Sequence, residues 1–230
     1  MRQAGVDQVF FSSSIQYRMH PDISRLPSRV FYDSKLKDAE GMAKLRTMPW
    51  HVSRVFRPYQ FFDVTDGREE KADSGYSLRN HAEVQLAVLL YERLIREFST
   101  QVDLYSRIGI IAMYDAQKRE FQQQFTKKFG KDITTRVAFG TVDGFQGQEK
   151  DIIIVSAVRG GPSVSRIGHV SDIRRMNVAV TRARASLFIL GNASTLERSD
   201  DKWKGVVEDA RERKCLVTVR EFSQLTILRC

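Results

Sequence analysis

The sequence predicts an α/β fold: a parallel sheet flanked by helices. Three observations carry that expectation. Ile108–Ala112 and Asp151–Val158 are short, almost continuous apolar runs rich in Ile and Val, as in strands buried on both faces. Segments with a 3.6-residue apolar period alternate with such runs. The spacing between runs leaves room for crossover helices, which a parallel sheet requires. At 230 residues the chain suits one such domain, read as a leading segment 1–14, a core 15–219 and a tail 220–230.

Taken in order, an apolar run at Val9–Phe11 leads into S-S-S-I-Q-Y-R-M-H-P. Pro21 disfavours helix at His20. A short helix starts at Asp22, runs through Ile23 and Leu26, and is expected to stop near Pro27. Residues 29–58 read as irregular and Gln60–Val64 as a strand. Residues 65–79 are polar and contain glycine, and read as a mobile loop. Asn80-x-x-Glu83 has the form of a capping box. It opens a long helix with Val84, Ala87, Val88, Tyr91, Leu94, Ile95 and Phe98 on one stripe. Ile108–Ala112 is a strand, Ala116–Phe129 a helix and Val137–Val142 the next strand. A glycine-rich turn, the strand Asp151–Val158 and a Gly/Ser loop over Arg159–His169 follow.

Residues 171–184 then read as one amphipathic helix. Ile173, Met176, Val180 and Ala183 would face the sheet, and Arg174, Asn177, Thr181 and Arg184 form a polar line. Arg175 and Arg182 share another flank. Several guanidiniums on one helix suit phosphate, because arginine stays charged and offers a planar fork of donors. A solvated basic face is the plain alternative. Strand Ser186–Gly191, a last long helix over 194–212 and strand Cys215–Val219 complete the chain.

Thirty-seven Lys and Arg against 28 Asp and Glu give a net charge of +9. That balance favours a polyanionic partner over a neutral small molecule. Two cysteines without metal-ligand spacing supply neither a metal signature nor a disulfide framework. The longest apolar run, Leu86–Tyr91, is far too short to span a bilayer, so no membrane role is expected. Asn192-Ala193-Ser194 matches a glycosylation acceptor by chance, since nothing else points to secretion.

Three stretches stand out in order: Q-Y-R-M-H-P (16–21), T-V-D-G-F-Q-G-Q-E-K-D (141–151) and R-R-M-N-V-A-V-T-R-A-R (174–184). Together, separated by α/β segments, they resemble the second RecA-like domain of superfamily 1 helicases. The closest likeness is to the branch of senataxin and the up-frameshift RNA helicases. L-P-S-R-V-F-Y-D-S-K-L-K-D, P-W-H and D-G-F-Q-G-Q-E-K-D lean towards senataxin.

This resemblance implies an ATP-dependent RNA/DNA helicase motor, and it implies roles. Tyr17 would stack on the nucleotide base, for which a flat aromatic face is suited. Arg18 and Arg182 would be arginine fingers, the catalytic pair, compensating charge at the γ-phosphate. Gln16, Gly147, Gln148 and Glu149 would complete the nucleotide site. There Glu149 is an acceptor for a ribose hydroxyl, and Gly147 allows close backbone approach. Thr141 and Asp143 would touch nucleic acid at its backbone. So would Tyr114, Gln117 and Arg159, although Met113-Tyr114-Asp115 departs from the family's usual Pro-Tyr-Arg. Arg175 and Arg184 read as surface or structural charges.

Neither G-x-x-x-x-G-K-[ST] nor an acidic D-E-x-x box occurs. The resemblance places both on a preceding RecA-like domain, which would hold most of the ATP phosphates and Mg²⁺. The implied partners are that domain and single-stranded RNA or DNA. The implied location is the nucleus, otherwise the cytoplasm. A non-catalytic nucleic-acid- or helicase-binding module and a DNA-processing helicase of the same superfamily stand as alternatives.

Overall fold

A computed structural model describes residues 15–72, 75, 77–165, 167–219 and 222. The Val9–Phe11 run and most of the expected tail lie outside the described residues. The chain opens with β1 (Ile15–Gln16), then α1 (Pro21–Phe31), and β2 (Lys37–Asp38), which pairs in parallel with β1. Nδ1 of His20 caps α1 by accepting from the Asp22 amide at 3.1 Å. The helix passes through Pro27 and does not stop there. An internal proline costs roughly 3 kcal/mol. Ile23 and Leu26 are completely buried and Val30 nearly so, and at about 1.5–3 kcal/mol each their burial outweighs that cost.

Part of the stretch expected to be irregular is ordered: α2 (Met42–Arg46) and a 3₁₀ turn at Pro49–Val52. Trp50 explains the second, since it is fully buried and its indole donates to Ser186 Oγ at 2.9 Å. After β3 (Tyr59–Asp63), the expected loop contains a small antiparallel hairpin, β4 (Glu70–Lys71) with β5 (Leu78–Arg79). The chain continues through α3 (His81–Phe98), β6 (Ile108–Ala112), α4 (Asp115–Phe129), α5 (Ile133–Arg136), β7 (Val137–Thr141) and β8 (Lys150–Ser156).

The arginine-rich helix is shorter than its pattern suggests. α6 covers Ile173–Val180, and β9 (Ala183–Gly191) starts early enough to take in Ala183 and Arg184. Two local bonds set these limits. Asp172 caps α6 by accepting from the amides of Arg174 at 2.8 Å and Arg175 at 3.3 Å, and the Lys150 amide donates to Arg182 O, drawing the chain into the sheet. Ile173 is left 41% exposed. The expected helix over 194–212 is two, α7 (Ala193–Ser199) and α8 (Asp201–Glu212). Asp200 between them is extended, and its carboxylate caps α8 at the Lys202 and Trp203 amides. Asn192 caps α7 in the same way, at the Thr195 amide, so the asparagine of the apparent glycosylation tripeptide is a buried helix cap.

With β10 (Leu216–Thr218) the sheet has six parallel strands in the order β10-β3-β9-β8-β6-β7. Alternation along each strand divides the core. Phe61, Ile153, Val155, Leu187 and Ile189 face α1, α6 and α8 with Trp203, while Phe62, Ile152, Ile154, Phe188 and Leu190 face α3 and α4 with Trp50. Covering both faces explains why the strands read as unbroken apolar runs. Among the described residues no helix is long and apolar enough to cross a membrane.

Candidate functional site

Because the six strands are parallel, their N-terminal ends share one edge of the sheet and their C-terminal ends the other. The residues singled out in the sequence fall on both edges.

At the N-terminal edge, Gln16, Tyr17, Arg18, Glu149 and Arg182 come from three distant segments and line one cavity of about 540 Å³. The amide of His20 donates to Arg184 O at 2.7 Å, which ties the Tyr17–Arg18 turn to the start of β9. Gln16 builds that turn from within. Its Oε1 accepts from the amides of Arg18 at 2.9 Å and Met19 at 2.7 Å, and its Nε2 donates to Met19 O and Asp38. Its polar atoms are therefore spent on shape. Tyr17, by contrast, is 69% exposed and offers a bare ring face.

The charges of this cavity are organised around Glu149. One carboxylate oxygen accepts from Arg18 Nε; the other accepts from Arg184 Nε at 2.9 Å and Nη2 at 2.7 Å. Arg184 also reaches Asp151 at 3.8 Å, which in turn bonds Arg107. Burial alone would push the Glu149 carboxyl up, but the hydrogen bonds from Arg184 and Arg18 more than offset this and hold it below the usual range. Arg182 is fixed by its own helix, with Nε donating to Val178 O at 3.0 Å and Nη2 to Thr181 Oγ1 at 3.2 Å. Burial, and then the neighbouring Arg18, lower its pKa, an energetic pressure that an added anion would relieve. Arg18, Arg46 and Arg182 against the one lining carboxylate, Glu149, leave a net positive wall. Two buried polar atoms of that wall, Arg46 Nε and Asn177 Oδ1, have no partner among the described residues. An exposed aromatic face, excess guanidinium charge and orphaned polar atoms fit a nucleotide. Among the described residues no group of three His, Cys, Asp or Glu is placed to hold a metal ion.

Gly147 and Gln148 precede Glu149. Gly147 has φ +82° with open space where a Cβ would be, and Gln148 donates from Nε2 to Gly144 O at 2.9 Å. The residue that fixes this segment is one the sequence reading passed over. Phe145 is 1% exposed, and its ring lies where a Cβ on Gly140 would be, 2.5 Å from the nearest ring atom; a Cβ on Gly109 would meet the same ring at 2.9 Å. The signal was present: one glycine in each of the runs I-G-I-I-A and V-A-F-G-T marks a place where something approaches the sheet closely.

At the C-terminal edge the predicted contacts divide. Thr141 is half-buried, with Oγ1 accepting from the Gly144 amide at 3.4 Å, and Asp143 is exposed and pairs with Arg175 at 2.8 Å. Arg159 joins Tyr114 OH at 3.1 Å to Glu69. Gln117 departs from the expected nucleic-acid role. It is fully buried, its Oε1 accepts from the Asn80 amide at 2.7 Å, and its Nε2 donates to Asn80 O at 3.1 Å and Ser156 Oγ at 3.0 Å. Its side chain braces α3 against β8 and is closed to any ligand. Glu83 completes the brace, taking bonds from Ser156 Oγ and from the Val158 amide at 3.0 Å. Burial raises its pKa to about 8. The Val158 bond holds a β-branched residue at φ +71°, a conformation costing about 1–3 kcal/mol.

A family model described as an AAA domain matches residues 4–194. The chain is 43% identical over 202 residues to Helicase SEN1 of Saccharomyces cerevisiae, covering 88% of this chain and 9% of that protein. It is 37% identical over 205 residues to Probable helicase senataxin of Homo sapiens, covering 89% and 7% respectively. Probable helicase MAGATAMA 3 of Arabidopsis thaliana is 40% identical over 205 residues, covering 89% and 25%. The chain thus spans a quarter or less of these relatives. Among solved structures, the C-terminal domain of a possible DNA helicase from Lactobacillus plantarum superposes with a TM-score of 0.50 at 10% identity, covering 88% of this chain and 98% of that one. At that identity the likeness is one of fold.

Proposed function

Since the chain belongs to the AAA domain family, among the senataxin/Sen1-type helicases of superfamily 1, we propose that it is the second motor domain of an ATP-dependent RNA/DNA helicase. The observation that carries this reading is the cavity in which Tyr17, Arg18, Glu149 and Arg182 converge from three separate segments. In it, Tyr17 stacks on the base of ATP. Arg182 and Arg18 face the terminal phosphate, where compensating charge is worth roughly 10³–10⁵ in rate. To do so Arg18 releases Glu149. Arg184 keeps that carboxylate ionised and in place, and the freed oxygen accepts from a ribose hydroxyl. A preceding RecA-like domain, in the same full-length chain or in trans, supplies the phosphate-cradling loop and the main ligands of Mg²⁺.

Single-stranded RNA or DNA lies at the opposite edge, against Thr141, Asp143 and Arg159, with the buried Tyr114 holding Arg159 through its hydroxyl; the strand is gripped by its backbone and therefore sensitive to salt. One stretch carries both ends of the coupling: Thr141 meets the strand and Glu149 the nucleotide, with Phe145 pinning the middle to the sheet. Opening and closing of the interdomain cleft then moves the strand. The nucleus is the proposed location. A second reading, a binding module without turnover, rests on the absence of G-x-x-x-x-G-K-[ST] from these 230 residues.

The test is RNA-stimulated ATP hydrolysis by this chain mixed with the preceding motor domain. Activity only on mixing, abolished by Arg182→Ala, supports the motor reading. A mixture that associates and binds RNA but does not hydrolyse ATP supports the binding module.

A further inference from the structure

We propose that the C-terminal edge of the sheet holds a second, cationic contact for the sugar-phosphate backbone of a single strand, centred on Arg68 and Lys71. It lies beyond the ends of β3, β8 and β9, away from Thr141 and Tyr114. The inference rests on the nucleic-acid part of the helicase reading and extends the strand's path beyond the residues which that reading uses.

Two adjoining cavities, about 480 and 270 Å³, share Arg68 and the Gly161–Pro162 turn and make one groove. Arg68 and Lys71 are exposed in its wall and form no ion pair among the described residues. The acids nearby are already answered or outnumbered. Glu69 is bound to Arg159, and Asp66 shares its cavity with Arg68 and Arg198. Ser163 and Ser165 also line the larger cavity, and a hydroxyl is a second kind of donor suited to phosphate oxygens. Among the described residues no aromatic side chain lines either cavity, and the cationic groups that do line them suit the sugar-phosphate backbone.

The groove is preformed. The Glu69 amide donates to Gly160 O at 2.9 Å, and a Cβ at Gly160 would sit 2.5 Å from Gly67 O, so the two loops close on each other only because glycine stands there. Its place in the sheet fixes the direction of the path. From β7, where Thr141 lies, to β3, where this groove begins, are four strand spacings in the order β7-β6-β8-β9-β3, roughly 19 Å at about 4.8 Å each. Arg159 stands between, bonded to Tyr114 on one side and lining the groove on the other. A strand resting on Thr141 and Asp143 therefore meets Arg68 and Lys71 if it continues across the sheet, and only if it is long enough.

The test is fluorescence anisotropy of the 230-residue chain with labelled oligouridylates of about 4 and about 16 nucleotides, over a range of salt concentrations. The double variant Arg68→Ala/Lys71→Ala is expected to weaken the long strand roughly tenfold, at about half a log unit per phosphate contact, and to reduce the salt slope by about 1.4. The short strand is expected to bind as before. A control removing the same charge elsewhere, Lys204→Ala/Lys214→Ala on and just after α8, is expected to change neither. Urea unfolding shows that all three proteins are folded. Equal slopes for wild type and Arg68→Ala/Lys71→Ala, or equal losses in both double variants, overturn the groove while leaving the helicase reading intact. Failure of the unaltered chain to bind either strand overturns the nucleic-acid reading and the groove together.

Discussion

Glu149 and Glu83 are two carboxylates at opposite edges of one sheet, and their surroundings separate them completely. Glu149 borders a cavity, and its bonds from Arg18 and Arg184 hold its pKa low, so it stays charged and exchangeable. Glu83 is fully buried. It is closed in by Ser156, Asn80 and the Val158 amide, and burial drives its pKa to about 8. The difference is between a polar group kept ready to change partners and one whose partners are final. A motif residue belongs to a site only if it is of the first kind. Gln117 has a family position and lacks that freedom.

The contrast can be broken most strongly at Arg182. Arg182→Ala is expected to lower hydrolysis in the mixed motor by about 10³–10⁵, with urea stability within about 0.5 kcal/mol of wild type because the side chain borders open space. Phe145→Ala attacks the link between the edges. Removing a buried ring is expected to cost about 3–5 kcal/mol in urea unfolding and to weaken the dependence of ATP turnover on RNA. Gln117→Ala strips the brace, leaving the Asn80 amide unpaired, for a loss of about 1–3 kcal/mol. Its affinity for single strands, measured where the protein remains folded, is expected to stay as it was. A selective loss of binding would instead return Gln117 to the site.

The pH dependence sharpens the comparison. With its folded pKa raised, Glu83 keeps a proton that the unfolded chain gives up, so its contribution is full below the ordinary carboxylate range and is lost as pH rises towards 8. His51 acts in the opposite direction. Burial, with the neighbouring His20, lowers its pKa to about 4, so its contribution is lost as pH falls from its ordinary value of 6.5 to about 4. Urea midpoints followed against pH are expected to fall on both sides of an intermediate maximum. Glu83→Gln is expected to flatten the alkaline limb and His51→Gln the acid one. The smallest effect belongs to Arg175→Ala. It removes a pair with exposed Asp143 and is expected to change stability by less than about 0.5 kcal/mol.

Much of this fold was legible because its core strands are buried on both faces, so Ile108–Ala112 and Asp151–Val158 carried their own label. Boundaries were legible where a cap was in view, as at Asn80. They were misread where a tertiary bond decided them. Pro27 did not end α1, because the packing of Ile23 and Leu26 outweighs its missing amide. Asp200 split one expected helix, because its carboxylate serves α8 better than it would serve a continuous run. At the site, the motifs identified Tyr17, Arg18, Glu149 and Arg182, which converge. They gave no hint that Gln16 and Gln117 turn inward, because an amide looks the same in sequence whether it meets a ligand or a backbone. Phe145 was overlooked for a related reason: its partners are two glycines in other segments, and an absent side chain leaves only a faint signal.

Both tryptophans have the same character as the Glu83 network. Trp50 and Trp203 are fully buried on opposite faces of the sheet, each with its indole hydrogen committed, to Ser186 Oγ and to Val170 O. Neither lines the Tyr17 cavity. The chain's indole fluorescence is therefore a gauge of whether its two halves of core are intact, insulated from ligand chemistry. A Tyr17→Trp replacement would add the one emitter exposed to a stacking base, giving a single molecule that reports integrity and occupancy as separate colours of light.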